Sequence, residues 1–349
     1  MLLVLKRDLN SQVVESLCDH LHNMEIEFDR IDQNGQITIA IKSDVRSLPL
    51  HVFSQLQGVE KVIANSNRVP LVSSSRPDAQ RYQDQFWLQL KRKVKPAVIA
   101  GPCSVESEAQ ILQLAQEVKQ AGATMLRGGA FKPRTSPYDF CGLGEEAFKY
   151  LKRASEATGL PVISEVMSAT QVELALPYVD VLQIGTRNMY NYELLKEVGR
   201  TDKVVLLKRA MSATVDELLQ AAEYILLEGN DRVALCERGI RTYETSTRNT
   251  LDLSCVPALQ ALCDFPIIVD PSHGTGRSDL IRPMSRAAIA CGADGIMLET
   301  HCDPKNSISD AAQAITPATL KEIVLDINAI AETLAARDSI EAKSLVEVQ

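Results

Sequence analysis

The sequence predicts an α/β protein in which a (β/α)8 barrel (TIM barrel) follows a small α+β unit of the ferredoxin-like kind. Three observations carry this reading. From Pro96 onward, eight apolar, β-branched-rich runs alternate with helix-length segments: AVIAGPCS, TMLRGGAF, PVISEV, VLQIG, VVLLKR, VALCERG, PIIVDPS and GIMLETH. That count suits a closed barrel, whereas a doubly wound open sheet usually stops sooner and shows a glycine-rich dinucleotide turn after its first strand. The preceding residues instead read βαββαβ. Finally, 349 residues with 45% hydrophobic and 23% charged side chains suffice for one large core and a second, smaller one.

The elements follow in order. LLVLKR reads as a strand and residues 10–22 as an amphipathic helix. IEFDRI and QITIAIK are strands joined across DQNG, a hairpin turn; a helix over residues 47–56 and the strand VEKVIANS complete the unit. This order is the split βαβ arrangement that ACT-type regulatory domains also use. The resulting division is 1–67 for this unit, 68–95 for a Ser-, Pro- and charge-rich linker or capping segment, 96–337 for the barrel, and 338–349 for a weakly ordered tail.

A formal net charge of −8 excludes the broad basic surface that nucleic-acid or anionic-membrane binding needs. Charge appears by Lys6, and no window approaches 18 uncharged apolar residues, so the chain is read as cytoplasmic. The eight cysteines show no C-x-x-C spacing and fall mostly in apolar segments, as reduced thiols do.

Within this acidic chain, LRGGAFKPRTSP (residues 126–137) gathers Arg127, Lys132 and Arg134 between glycines. Barrels place functional groups at the C-terminal ends of their strands. Here the runs lead, in turn, to Cys103 and Ser104; to Arg127, Lys132 and Arg134; to Glu165; to Arg187; to Lys208 and Arg209; to Glu237 and Arg238; to Asp270 and His273; and to Glu299 and His301. Cations from separate strands converge on one mouth, with capacity for two phosphates or a phosphate and a carboxylate. Glu165 and Glu237 suit the role of orienting partners. Cys103, His273, Glu299 and, beyond the last strand, Asp310 offer a thiolate, an imidazole and two carboxylates, a set that favours a divalent transition metal over magnesium. The same residue types also occur as a buried thiol, a loop imidazole and solvated acids.

GPCSVES, LRGGAFKPRTSPYDFCGLGEE, IGTRNMYN, LLKRAMSAT, CERGIRTYETSTRNTLDLSCVP, DPSHGTGRSDL and ETHCDPKNSISD together resemble 3-deoxy-D-arabino-heptulosonate 7-phosphate (DAHP) synthases, in particular the type I beta form with an N-terminal ferredoxin-like (ACT-like) extension. The resemblance implies a transferase reaction, the aldol-type condensation of phosphoenolpyruvate with D-erythrose 4-phosphate and water to DAHP and phosphate, the entry to aromatic amino acids by the shikimate pathway. It implies one divalent ion per subunit, Mn first and Fe, Co or Zn as substitutes, on Cys103, His273, Glu299 and Asp310. His301 and Asp303 compete for the fourth place.

By the same resemblance, Arg127, Lys132, Arg187, Lys208 and Arg238 meet phosphoenolpyruvate, and Arg134, Thr135, Ser136 and Asp270 meet erythrose 4-phosphate. Lys132, Lys208, His273 and Cys103 form the catalytic set. A homotetramer is implied, and so is feedback by Tyr or Phe at the N-terminal unit through a population shift that occludes the barrel mouth. The nearest alternative is 3-deoxy-D-manno-octulosonate 8-phosphate synthesis from arabinose 5-phosphate, against which Pro133 and Thr135 of KPRTSP argue. A Schiff-base aldolase using Lys208 and a non-catalytic ligand sensor are further alternatives.

Overall fold

The computed structural model describes residues 2–7, 9–33, 36–43, 45, 50–63, 69–72, 90–91, 95–132, 138 and 140–346. The chain divides into two compact units, Met1–Arg68 and Val69–Gln349.

The first unit contains β1 (Leu2–Leu5), α1 (Ser11–Asn23), β2 (Phe28–Gln33), β3 (Gln36–Ile41), α2 (Leu50–Ser54) and β4 (Val59–Ile63). The sheet order is β2-β3-β1-β4 with every neighbour antiparallel, as the predicted βαββαβ order requires. The Asn10 side chain accepts from the Gln12 N–H and so starts α1. Val14, Leu17 and Leu21 recur at helical spacing on α1 and share a core with Leu3 and Leu5, alternate residues of β1, and with Ile39 and Phe53. Gln33 pairs with Gln36; the two residues of the connecting turn lie outside the described residues.

The second unit is a closed barrel of eight parallel strands: β5 (Ala97–Gly101), β6 (Met125–Arg127), β7 (Val162–Val166), β8 (Val181–Ile184), β9 (Val204–Lys208), β10 (Val233–Glu237), β11 (Ile267–Val269) and β12 (Gly295–Glu299). Each lies within one of the eight apolar runs. Buried on both faces, these strands need continuous apolar stretches rather than alternation. Between and after them come α3 (Glu108–Gln120), α4 (Glu145–Thr158), α5 (Ala169–Ala175), α6 (Tyr192–Gly199), α7 (Val215–Leu227), α8 (Cys255–Leu262), α9 (Pro271–Thr275), α10 (Ser278–Ala290) and α11 (Pro317–Val346). Local sequence starts several of them: Ser107, Ser168 and Asn191 cap α3, α5 and α6, and Thr214 with Glu217 forms a capping box on α7.

Two details sharpen the sequence reading. Within the segment expected as a linker, Leu90 is fully buried in the barrel core, and Glu223 of α7 accepts the N–H groups of Leu71 and Val72 at 2.9 and 3.0 Å. Helix α11 also runs past Arg337 to Val346, where a weakly ordered tail is expected. Residues 338–346 contain neither Gly nor Pro, so nothing in the chain stops the helix there.

Candidate active site

Eight parallel strands bring their last residues to one rim. Close approach at that rim depends on two glycines. Gly101 ends β5 with φ 151°, and a Cβ there would stand 2.0 Å from the Arg127 carbonyl oxygen. Gly185, just after β8, leaves space that Glu165 fills, since a Cβ would fall 1.9 Å from its Oε1.

Arg127, Lys132, Arg187, Lys208 and Arg238 all line one cavity of about 120 Å³ at this mouth, together with Glu165, Gln183, Met211, Arg248, His273 and Asp310. Arg127 donates from Nη2 to Glu299 Oε1 at 3.2 Å, but its Nη1 and that of Arg238 are buried without a hydrogen-bond partner among the described residues. Buried unpaired donors are costly, so two of them on arginines that line one cavity are consistent with a place for an anion. Burial, reinforced by Arg248, pulls the Arg238 pKa below the ordinary arginine value despite the opposing pull of Asp270.

Behind the cations, the donor atoms of Cys103, Glu299 and Asp310 lie within 4.8 Å of one another. Cys103 Sγ donates to Asp310 Oδ2 at 3.0 Å, and Lys132 Nζ donates to Cys103 Sγ at 2.9 Å and to its carbonyl at 3.1 Å. Burial and then the Glu299 charge push the Cys103 thiol up to about 12, against the pull of Lys132. His273 Nε2 stands 3.3 Å from Glu299 Oε1, and its Nδ1 meets Asp270 Oδ2 at 2.7 Å. Burial lowers the His273 pKa, Asp270 and Glu299 opposing. In the neutral tautomer set by Asp270, Nδ1 donates and Nε2 presents its lone pair toward Glu299 and the cavity. A thiol, two carboxylates and an imidazole oriented by a carboxylate fit a divalent transition metal.

Other expected residues are placed differently. Asp270 is fully buried, with its carboxylate taken by Lys208 Nζ (2.6 Å), the His273 ring and the His273 N–H; it backs the wall instead of meeting the cavity. Burial works against its charge, yet His273 and Lys208 hold its carboxyl well below the usual range. Arg209 is absent from the cavity lining, because neighbouring residues at a strand end face opposite ways. It donates to Glu237 (3.0 Å) and Asp252 (2.8 Å), so Glu237 orients Arg209 and not a cavity cation. Glu165 does line the cavity and accepts from Gln183 Nε2 at 3.1 Å. His301 faces Glu106, and Asp303 accepts from Asn306; neither belongs to the Cys103 cluster among the described residues. Arg134, Thr135 and Ser136 lie outside the described residues.

Four site residues, Gln183, Met211, Arg248 and Gln313, escape the sequence reading. Gln183 is a buried amide inside the apolar run VLQIG, a signal that was available. Arg248 reaches the mouth from the long loop after β10, and nothing in TSTRNT distinguishes it from a solvated arginine. Gln313 donates to Glu299 Oε2 at 2.7 Å and accepts from Arg248 at 2.9 Å, a link visible only in three dimensions.

A closed barrel whose mouth is walled by cations and backed by a Cys–Glu–Asp cluster defines a protein for small, multiply anionic molecules. The sequence matches the DAHP synthetase I family over residues 91–334, and the chain belongs to that family. It is 41% identical over 299 residues to a phospho-2-dehydro-3-deoxyheptonate aldolase of Thermotoga maritima, covering 86% of this chain and 88% of the relative. A 2-dehydro-3-deoxyphosphooctonate aldolase of Geobacter sulfurreducens is 31% identical over 250 residues, covering 65% of this chain and 90% of that one. Among solved structures, the Thermotoga maritima DAHP synthase superposes with a TM-score of 0.77 at 36% identity, covering 96% of this chain and 97% of the other. A truncated form of the Thermotoga maritima synthase gives 0.66 at 43% identity, over 70% of this chain and 90% of that one. Among the described residues, no helix is long and apolar enough to cross a membrane.

Proposed function

We propose that the chain condenses phosphoenolpyruvate with D-erythrose 4-phosphate and water, giving DAHP and inorganic phosphate. The observation that carries this is the convergence of Arg127, Lys132, Arg187, Lys208 and Arg238 on one cavity, in a chain of this family. The substrates together bring two phosphates and a carboxylate, a load that matches this cation set. Arg127 and Arg238 supply the unpaired guanidinium donors, and Lys132, Arg187 and Lys208 complete the phosphoenolpyruvate cradle. Arg134, Thr135 and Ser136 are assigned to the erythrose phosphate.

Cys103, His273, Glu299 and Asp310 would hold one divalent ion, manganese first. When bound, it supplies a Lewis acid for the aldehyde oxygen. The cations hold two mutually repelling anions so that the phosphoenolpyruvate methylene carbon faces the aldehyde carbon, and such positioning contributes about 7–11 kcal/mol at best. The enol π pair forms the carbon–carbon bond while the aldehyde π pair moves to oxygen, which takes up a proton; water adds at the former enol carbon and gives up its protons as the C–O bond to phosphate breaks, leaving the ketone and inorganic phosphate. Lys208 is held by Asp270 at the wall, where its ammonium balances charge gathering on the departing phosphate. The N-terminal unit is assigned aromatic feedback by Tyr or Phe, and the assembly a homotetramer.

The test is phosphate release from phosphoenolpyruvate with erythrose 4-phosphate or arabinose 5-phosphate, each with chelator and with added manganese. Turnover with the four-carbon sugar alone, lost to chelator and restored by metal, is expected. Preference for arabinose 5-phosphate would transfer the protein to the octulosonate reaction, and no turnover with either would refute the proposal.

A further inference from the structure

Three side-chain links join the loop after β5 to the loop after β12. Cys103 Sγ donates to Asp310 Oδ2 at 3.0 Å. Ser104 Oγ and Ser309 Oγ share a hydrogen bond of 2.9 Å, both residues buried. Glu106 Oε1 accepts the Ile308 N–H at 2.9 Å; the Ser307 hydroxyl lies 3.4 Å from the same oxygen and gives its one proton to the Ser309 carbonyl at 2.8 Å, within the segment. The links run in opposite directions along the two segments, 103 to 106 against 310 to 307, like rungs of a short ladder made of side chains.

Glu106 is where this ladder is anchored. His301 Nδ1 accepts the Asp303 N–H at 3.0 Å, which leaves the imidazole proton on Nε2. That Nε2 stands 3.5 Å from Glu106 Oε1, a contact and not a hydrogen bond, so among the described residues the Ile308 N–H is the donor that Glu106 holds across the two loops. The far end of the ladder needs such support. Asp310 stands at φ 53°, a left-handed conformation that aspartate tolerates better than most side chains but that still favours a segment held from both sides.

We infer that Glu106 is a positioning residue which, through the 307–310 segment, fixes the Asp310 carboxylate opposite the Cys103 sulfur. The inference rests on the reading of Cys103 and Asp310 as metal ligands. Glu106 belongs neither to the cavity lining nor to the Cys103–Glu299–Asp310 cluster. It sets the spacing between two donors carried by different loops, and a metal rewards donors already spaced before it arrives.

The experiment measures Mn2+ binding by calorimetry on full-length, metal-stripped protein, with thermal unfolding of each metal-free sample alongside. Glu106→Ala is expected to weaken Mn2+ binding about 10- to 100-fold, the range for lost outer support of a metal ligand. Glu106→Gln keeps an acceptor for the Ile308 N–H and is expected to recover most of the affinity. Ser309→Ala removes only the middle rung and should shift binding less, in the same direction. Wild-type Mn2+ affinity in Glu106→Ala overturns the inference, including where its metal-free melting temperature has fallen. Should Glu106→Ala fail to fold, wild-type affinity in both Ser104→Ala and Ser309→Ala overturns it. Cys103→Ala separates the two readings. Unchanged Mn2+ binding there removes the metal site itself and this inference with it, whereas loss there beside an unaffected Glu106→Ala refutes the positioning role alone.

Discussion

Replacing Arg238 by methionine separates what the site needs from what the fold would prefer. The arginine is 5% exposed, its Nη1 has no partner, and no carboxylate pairs with it among the described residues. Burial pulls its pKa down, a sign that the charged form is held in an unfavourable place. Methionine keeps much of the stem and removes the charge. If Nη1 serves an anion, one charge-assisted hydrogen bond is lost, about 1.5–3 kcal/mol, which corresponds to about a 10- to 150-fold rise in KM for phosphoenolpyruvate. The ligand-free protein should move the other way, gaining about 1 kcal/mol, or roughly 2–4 °C in Tm for a unit of this size. Steady-state phosphate release gives the first quantity and calorimetric unfolding without substrate the second. A KM within twofold of wild type, together with a lower Tm, would show that Arg238 is structural and sink the reasoning.

Two further outcomes follow from the same geometry. Asp270→Asn leaves Lys208 buried beside a neutral amide and should cost about 3–5 kcal/mol at neutral pH; because the folded carboxyl is depressed, its contribution is present above the unfolded value near pH 4 and fades as pH falls through the folded one. Urea unfolding of both proteins should therefore show a gap that is constant from about pH 5 upward and narrows in acid, and a gap that widens in acid contradicts the assignment. Removing residues 1–68 should leave condensation intact and abolish inhibition by tyrosine or phenylalanine, while inhibition retained by the remaining barrel would remove the regulatory role.

The barrel was legible because parallel strands buried on both faces write themselves as unbroken apolar runs, and each of the eight contains its strand. Strand ends announced the cavity cations for the same reason, since Arg127, Lys208 and Arg238 interrupt or follow those runs. What periodicity does not carry is the direction of a side chain beyond the strand. Lys208 turns inward while Arg209 turns to Glu237 and Asp252, and Asp270 retreats behind the wall it was expected to face. Long-range links such as Gln313 to Glu299 leave no local trace, because neither residue's immediate neighbours differ from an ordinary loop or strand end. The last helix runs on to Val346 because residues 338–346 hold no glycine or proline to break it.

The barrel closes where β12 pairs with β5, five residues in register from Gly295–Ala97 to Glu299–Gly101. Cys103 lies just beyond one side of that seam and Glu299 ends the other, while Asp310, 207 positions after Cys103, follows the last strand. A chain emerging from the ribosome exposes Cys103 well before the other two donors, because synthesis runs from the N-terminal side. Until the seam shuts, the thiol is a solitary ligand with no carboxylates beside it. The cluster thus exists only once the barrel has closed, and a chain cut short before β12 lacks two of its three donors.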